Sequence, residues 1–180
     1  GHVNVRPEIY AIGHRDQDGV LIHPETGELW TIEHGPMGGD ELNVVRPGQN
    51  YGWPYVTYGK NYDGSEIGPT EWDGVTQPLY YWFPSLAPSG LAMVQQDLFP
   101  GWQGSLLVGS LSPTQGRFLI RLVMDGERVV AEEHLLTGYD RRVRDVVETT
   151  DGYIYVLMDS ENNAEAGRVF AGEVLKLMPR

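Results

Sequence analysis

Three times along this chain a short apolar strand runs into a glycine-marked turn and returns as a second strand. The copies are GVLIHPETGELWTIEH from Gly19 to His34, GLAMVQQDLFPGWQGSLLVGSL from Gly90 to Leu111, and DVVETTDGYIYVLMDS from Asp145 to Ser160. In each, a turn glycine (Gly27, Gly104, Gly152) precedes alternating or continuous apolar residues such as Leu29-Trp30-Thr31-Ile32 and Ile154-Tyr155-Val156-Leu157. A turn glycine followed by β-branched and aromatic residues is a hairpin signal. The glycines stand 77 and 48 residues apart, the wider gap holding the loop-rich span Asn50–Gln77. A four-stranded unit recurring at roughly 40–50 residues marks a β-propeller blade. A β-sandwich with similar hairpins is the alternative.

Further strands are expected over Ile9–Ile12, Glu41–Val45, Leu79–Trp82, Phe118–Met124, Arg128–Leu135 and Val169–Leu177, with Asp125-Gly126-Glu127 as a tight hairpin turn. Helix is expected only as a single turn within Asn162–Ala171. The chain is therefore expected to be all-β, about twelve strands forming about three blades. Three blades do not close a ring, since propellers begin at about four. An open arc leaves unpaired edges that proteins avoid, so the missing blades are expected on a partner half or a second copy.

Length and composition fit one such unit. The 180 residues suffice for a single domain with a core, and 1–180 is read as one partial propeller. Twenty-three glycines, 12 prolines and 10 tyrosines suit short strands joined by many turns. A net charge of −12 argues against a nucleic-acid partner, whose phosphates would be repelled. The absence of cysteine excludes disulfides and thiolate metal sites. No apolar run approaches the roughly 18 residues of a membrane span, and the opening GHVNVRPEIY does not read as a signal peptide.

One segment narrows the chemistry. Residues 33–54 read EHGPMGGDELNVVRPGQNYGWP. Glu33, Asp40 and Glu41 offer hard oxygen ligands around a Gly-Pro and Gly-Gly loop whose small residues let carbonyls converge. Carboxylates mixed with carbonyls suit calcium; an acidic surface turn is the plainer reading.

This segment, together with GHRDQDGV (Gly13–Val20), PSLAPSGLAM (Pro84–Met93), LFPGWQGSLLVGSL (Leu98–Leu111) and RVRDVVETTDGYIYVLMD (Arg142–Asp159), resembles the soluble quinoprotein aldose (glucose/sorbosone) dehydrogenases. The resemblance runs from about Ile9 to Leu177. It implies the C-terminal half of a six-bladed propeller that binds pyrroloquinoline quinone (PQQ) and calcium, in a periplasmic or secreted enzyme. By resemblance, Gly35 and Pro36 ligate the cofactor's calcium through their carbonyls. Asp40, Glu41 and the carbonyl of Tyr51 match a second, structural calcium site. Arg15, Asp16, Arg142 and Arg144 match cofactor-contacting positions. Arg142 and Arg144 are two apart, so strand alternation sends both toward one anion, and a tricarboxylate suits their donors. The catalytic histidine base is expected outside this chain.

Two positions depart from the family pattern. Asp16 stands where asparagine is common, and Ser112-Pro113-Thr114-Gln115 offers no lysine after Leu111, with Arg117 as a substitute cation. His14 and His34 lie inside motifs and are expected to position loops. Part of the aromatic run Tyr80-Tyr81-Trp82-Phe83 could line a sugar site, the rest packing in the core. The expected activity is oxidation of an aldose at its anomeric hydroxyl to the lactone. The alternatives are a non-catalytic module that binds a partner or carbohydrate, and a calcium-dependent lactonase.

Overall fold

The computed structural model describes residues 6–139, 141–159 and 172–179. Among them eleven strands form three antiparallel sheets and no helix. The first sheet pairs β1 (Gln17–Ile22), β2 (Leu29–Glu33), β3 (Asp40–Val45) and β4 (Tyr80–Trp82) in chain order. The second pairs β5 (Pro88–Met93), β6 (Leu106–Ser110), β7 (Leu119–Asp125) and β8 (Arg128–Leu135) in the same way. The third holds β9 (Val143–Glu148), β10 (Ile154–Met158) and β11 (Glu173–Lys176). These are three propeller blades, each beginning with one of the three hairpins read from the sequence. Gly27, Gly104 and Gly152 adopt φ of 72°, 79° and 84°, a left-handed conformation that only glycine takes without strain.

Alternation within the middle blade builds the core on both sides of it. Leu106 and Val108 of β6 point with Ile120 and Leu122 of β7 toward the first blade, where they meet Trp30, Ile32, Leu42 and Trp82. Leu107 and Leu119 point the opposite way and pack with Val143, Val146, Ile154 and Val156 of the third blade. Burying both faces of the central sheet leaves the outer faces of the flanking blades open. Val20 and Ile22 of β1 are each 62% exposed, and Val174 of β11 is 66% exposed.

The leading strands β1, β5 and β9 lie against one another with their starts level. A Cβ on Gly19 would strike the Ser89 carbonyl, and one on Gly90 would strike Asp145. Ser89 Oγ donates to the Val143 carbonyl at 2.5 Å. The antiparallel ladders then carry the segments before β1, β5 and β9 and those after β2, β6 and β10 to one end of the arc.

Some expected elements shift. Ile9–Ile12 is not a strand: Ile12 makes only an isolated bridge to Asn50, because no neighbouring ladder extends to it. The strand expected from Leu79 begins at Tyr80, and that from Phe118 runs Leu119–Asp125. Of Val169–Leu177, the described part carries β11 over Glu173–Lys176. The helical turn expected within Asn162–Ala171 lies outside the described residues.

Candidate binding rim

The end of the arc that gathers these loops also gathers the motif residues. The loop Gly13–Asp16 feeds β1, and the Glu33 carboxylate at the end of β2 holds it: Oε2 accepts the Arg15 amide at 2.6 Å and Oε1 accepts His14 Nδ1 at 2.9 Å. Asn43 of β3 completes the set by donating to Glu33 Oε1 at 2.9 Å. The Arg15 guanidinium lies over the Trp53 ring, 5.3 Å from its centroid, and its Nη1 donates to the His34 carbonyl at 3.0 Å. His14 stacks on Tyr51 with centroids 4.4 Å apart.

Asp40 has a structural role that its spacing did not reveal. Both carboxylate oxygens are engaged by protein donors: the Gly35 amide at 3.0 Å, Ser85 Oγ at 2.8 Å, and the Leu86 and Ala87 amides at 2.7 and 2.9 Å. This buried carboxylate therefore ties the Gly35 loop to the segment entering β5. Burial pushes its pKa up, and the Ser85 and Gly35 bonds oppose that rise. This loop-pinning role stands beside the metal-ligand role that the resemblance implies for Asp40.

Among the described residues no lysine, arginine or histidine pairs with Glu41. It is 9% exposed and receives Asn43 Nδ2 at 3.1 Å. Burial raises its pKa to about 8, with the neighbouring Glu33 and Asp40 carboxylates adding to the rise. With Glu33, Gly35, Gly39, Tyr51 and Thr57 it lines a small pocket. Gly35 fits there because any side chain would run into the Gly38 and Gly39 carbonyls, so the loop folds back on itself.

Arg142 and Arg144 converge from the third blade. Oδ2 of Asp159 accepts Arg142 Nη2 at 2.7 Å and Arg144 Nε at 2.9 Å. Both guanidiniums reach one anion, Asp159, but only Arg144 lies on β9 while Arg142 stands just before it, so strand alternation alone does not set the pair. Arg142 Nε is buried without a hydrogen-bond partner among the described residues. Asp16 is exposed 3.8 Å from Arg15, and with Asp18 and His34 it forms a group whose ligand atoms all lie within 4.8 Å of one another. His34 Nε2 is engaged by the Pro88 carbonyl at 2.6 Å, with Asp18 Oδ2 at 3.0 Å, so it bonds the first blade to the second. Within the aromatic run Trp82 is buried, whereas Tyr81 and Phe83 are 44% and 53% exposed. Sequence reading missed Glu33 as the anchor of Arg15 and Asp159 as the partner of the arginine pair; both contacts join residues 15 or more positions apart.

The fold and this rim define a partial β-propeller of the sugar-dehydrogenase type. The chain belongs to the glucose/sorbosone dehydrogenase family, whose profile matches residues 1–169. It is 39% identical over 178 residues to the aldose sugar dehydrogenase YliI of Escherichia coli (strain K12), covering 97% of this chain and 45% of that protein. A crystal structure of a glucose dehydrogenase superposes with a TM-score of 0.88 at 42% identity, covering 100% of this chain and 49% of the other. The PQQ-bound aldose sugar dehydrogenase of Streptomyces coelicolor superposes with a TM-score of 0.67 at 25% identity, covering 93% of this chain and 44% of that one. The chain thus spans about half the length of the relatives it matches.

Proposed function

We propose that this chain supplies the cofactor- and calcium-binding half of a PQQ-dependent aldose dehydrogenase that oxidises the anomeric hydroxyl of a sugar to the lactone. The observation that carries this reading is the arrival of Arg15, Arg142 and Arg144 at the same end of the arc as the Gly35–Pro36 loop. The donor set fits the cofactor. Three guanidiniums match a tricarboxylate, and the unpartnered Arg142 Nε is a buried donor in want of an acceptor. Glu41, buried with its pKa raised to about 8, fits a cation in the same way. Gly35 and Pro36 would ligate the cofactor's calcium, and Asp40 and Glu41 with the Tyr51 carbonyl the second. When bound, the quinone supplies the two-electron acceptor and calcium a Lewis acid.

The chain's own residues bind and orient. Trp53 and the His34 carbonyl fix the direction of Arg15, while Asp159 holds Arg142 and Arg144 side by side. Tyr81 and Phe83 offer open aromatic faces to a pyranose ring. His14 and His34 are engaged in loop-holding bonds, which supports a base supplied by blades beyond this chain. Those blades would come from an N-terminal half or a second copy seated on the exposed flanks, in a periplasmic or secreted protein.

Asp16 supports a second reading. A carboxylate 63% exposed on this rim, with no lysine in the Ser112–Gln115 loop, suits a non-catalytic module that binds carbohydrate or a partner. Titration of PQQ into the native polypeptide, followed by visible absorbance, separates the two. The dehydrogenase reading expects a saturable cofactor spectrum, weakened about 100-fold when Arg142→Ala and Arg144→Ala are combined. An absent spectrum in calcium-replete protein would leave the module reading standing.

A further inference from the structure

We propose that Glu33 is a positioning residue for anion binding, acting through Arg15; this rests on the reading of Arg15 as a cofactor-contacting arginine. Glu33 ends β2 and is 4% exposed. A carboxylate so placed loses its hydration and must recover it from protein donors. It does so from three: the Arg15 amide at 2.6 Å, His14 Nδ1 at 2.9 Å and Asn43 Nδ2 at 2.9 Å. None of these is a lysine or arginine side chain, so the attraction of a strong cation does not explain a carboxylate here. What the three bonds achieve is a fixed distance between the loop that carries Arg15 and the two strands β2 and β3.

The opposite side of that loop is closed by backbone. A Cβ at Gly13 would collide with Asn50 and with the Tyr51 and Gly52 amides. His14 is pressed on Tyr51, and the His34 amide donates to the Asp16 carbonyl at 2.8 Å. The main chain of Arg15 is therefore clamped, with the Glu33 bond as the clamp at Arg15 itself. Its guanidinium is fixed at the far end by the His34 carbonyl and the Trp53 ring. A long side chain held at both its root and its tip loses little further rotamer freedom when it meets an anion. Freeing the root restores that entropy and lowers affinity without removing any charge from the rim.

A double-mutant cycle on PQQ affinity tests this in the native polypeptide, read by visible absorbance. Arg15→Ala is expected to weaken binding about 100-fold and Glu33→Gln about tenfold, because a Gln at this position turns an NH2 toward one of the three donors. The double variant should bind within about twofold of Arg15→Ala alone. Hydrogen exchange provides a second readout: the Arg15 amide should lose protection in Glu33→Gln while the β6 and β7 amides keep theirs. A tenfold loss that persists in the Arg15→Ala background, or unchanged affinity in Glu33→Gln, would overturn the proposal. Unchanged affinity in Arg15→Ala alone would instead overturn the cofactor reading of Arg15, and the exchange measurement would still decide whether Glu33 clamps its amide. If Glu33→Gln does not fold, Glu33→Asp keeps the charge, shortens the reach to the amide, and enters the same cycle.

Discussion

The first and third blades contribute to one rim by opposite means. In the first, Glu33 and Asp40 are buried and engaged by three and four donors respectively, most of them backbone amides or side chains from distant loops. In the third, two half-open guanidiniums share the Oδ2 atom of Asp159, with side-chain exposures of 28% and 48%. The first arrangement fixes loops, because a buried carboxylate with several donors admits one geometry and resists any other. The second presents charge that water and salt still reach, so it can exchange one anion for another at little cost.

The contrast breaks most visibly at Asp40. Asp40→Ala would orphan the Gly35 and Leu86 amides and the Ser85 hydroxyl, leaving Ala87 only its 3.2 Å bond to Ser85 Oγ, and is expected to lower unfolding free energy by about 4 kcal/mol in urea titrations. A loss under about 1 kcal/mol would mean that the cage relaxes onto water and is not rigid.

Glu41 gives a pH signature of the first blade. Its pKa stands at about 8 in the fold against 4.5 as the reference value. Between those limits the folded protein holds a proton that the unfolded chain has released, so stability falls as pH rises through that window and levels off above it. The slope for one proton is at most about 1.4 kcal/mol per pH unit. Thermal melts in chelator from pH 5 to 9 should show the decline, and Glu41→Gln should flatten it. Calcium should oppose it increasingly toward high pH, because a cation binds the ionised form.

The smallest effect is expected in the third blade. Asp159→Ala removes a partly exposed ion pair and should cost about 1 kcal/mol or less. It should also steepen the salt dependence of anion binding at Arg142 and Arg144, since the pair then carries its full charge. A cost comparable to that of Asp40→Ala would erase the distinction between the two blades.

The blade count and the hairpins were legible in the sequence because turn glycines and alternating apolar residues are local signals. Gly27, Gly104 and Gly152 reveal themselves through the conformation they alone tolerate. The Arg-x-Arg spacing was visible locally, but Arg142 stands just before β9 and the shared partner Asp159 lies 15 or more residues away. The cage around Asp40 was not legible because its partners at 85, 86 and 87 lie 45 or more residues away, a gap that no local pattern spans. Glu33 shared the acidic spacing of a ligand loop, and only the fold shows that its oxygens face the Arg15 amide. Ile9–Ile12 had the composition of a strand but lacked a ladder to join, which composition does not encode.

The third sheet stops at β11, and among the described residues no strand lies beyond it. Among the described residues, every second amide and carbonyl along Glu173–Lys176 therefore has no strand partner, which makes that edge a template for an extended peptide of matching length. The charges of Glu173 and Lys176 at its two ends are the chief brake on such pairing.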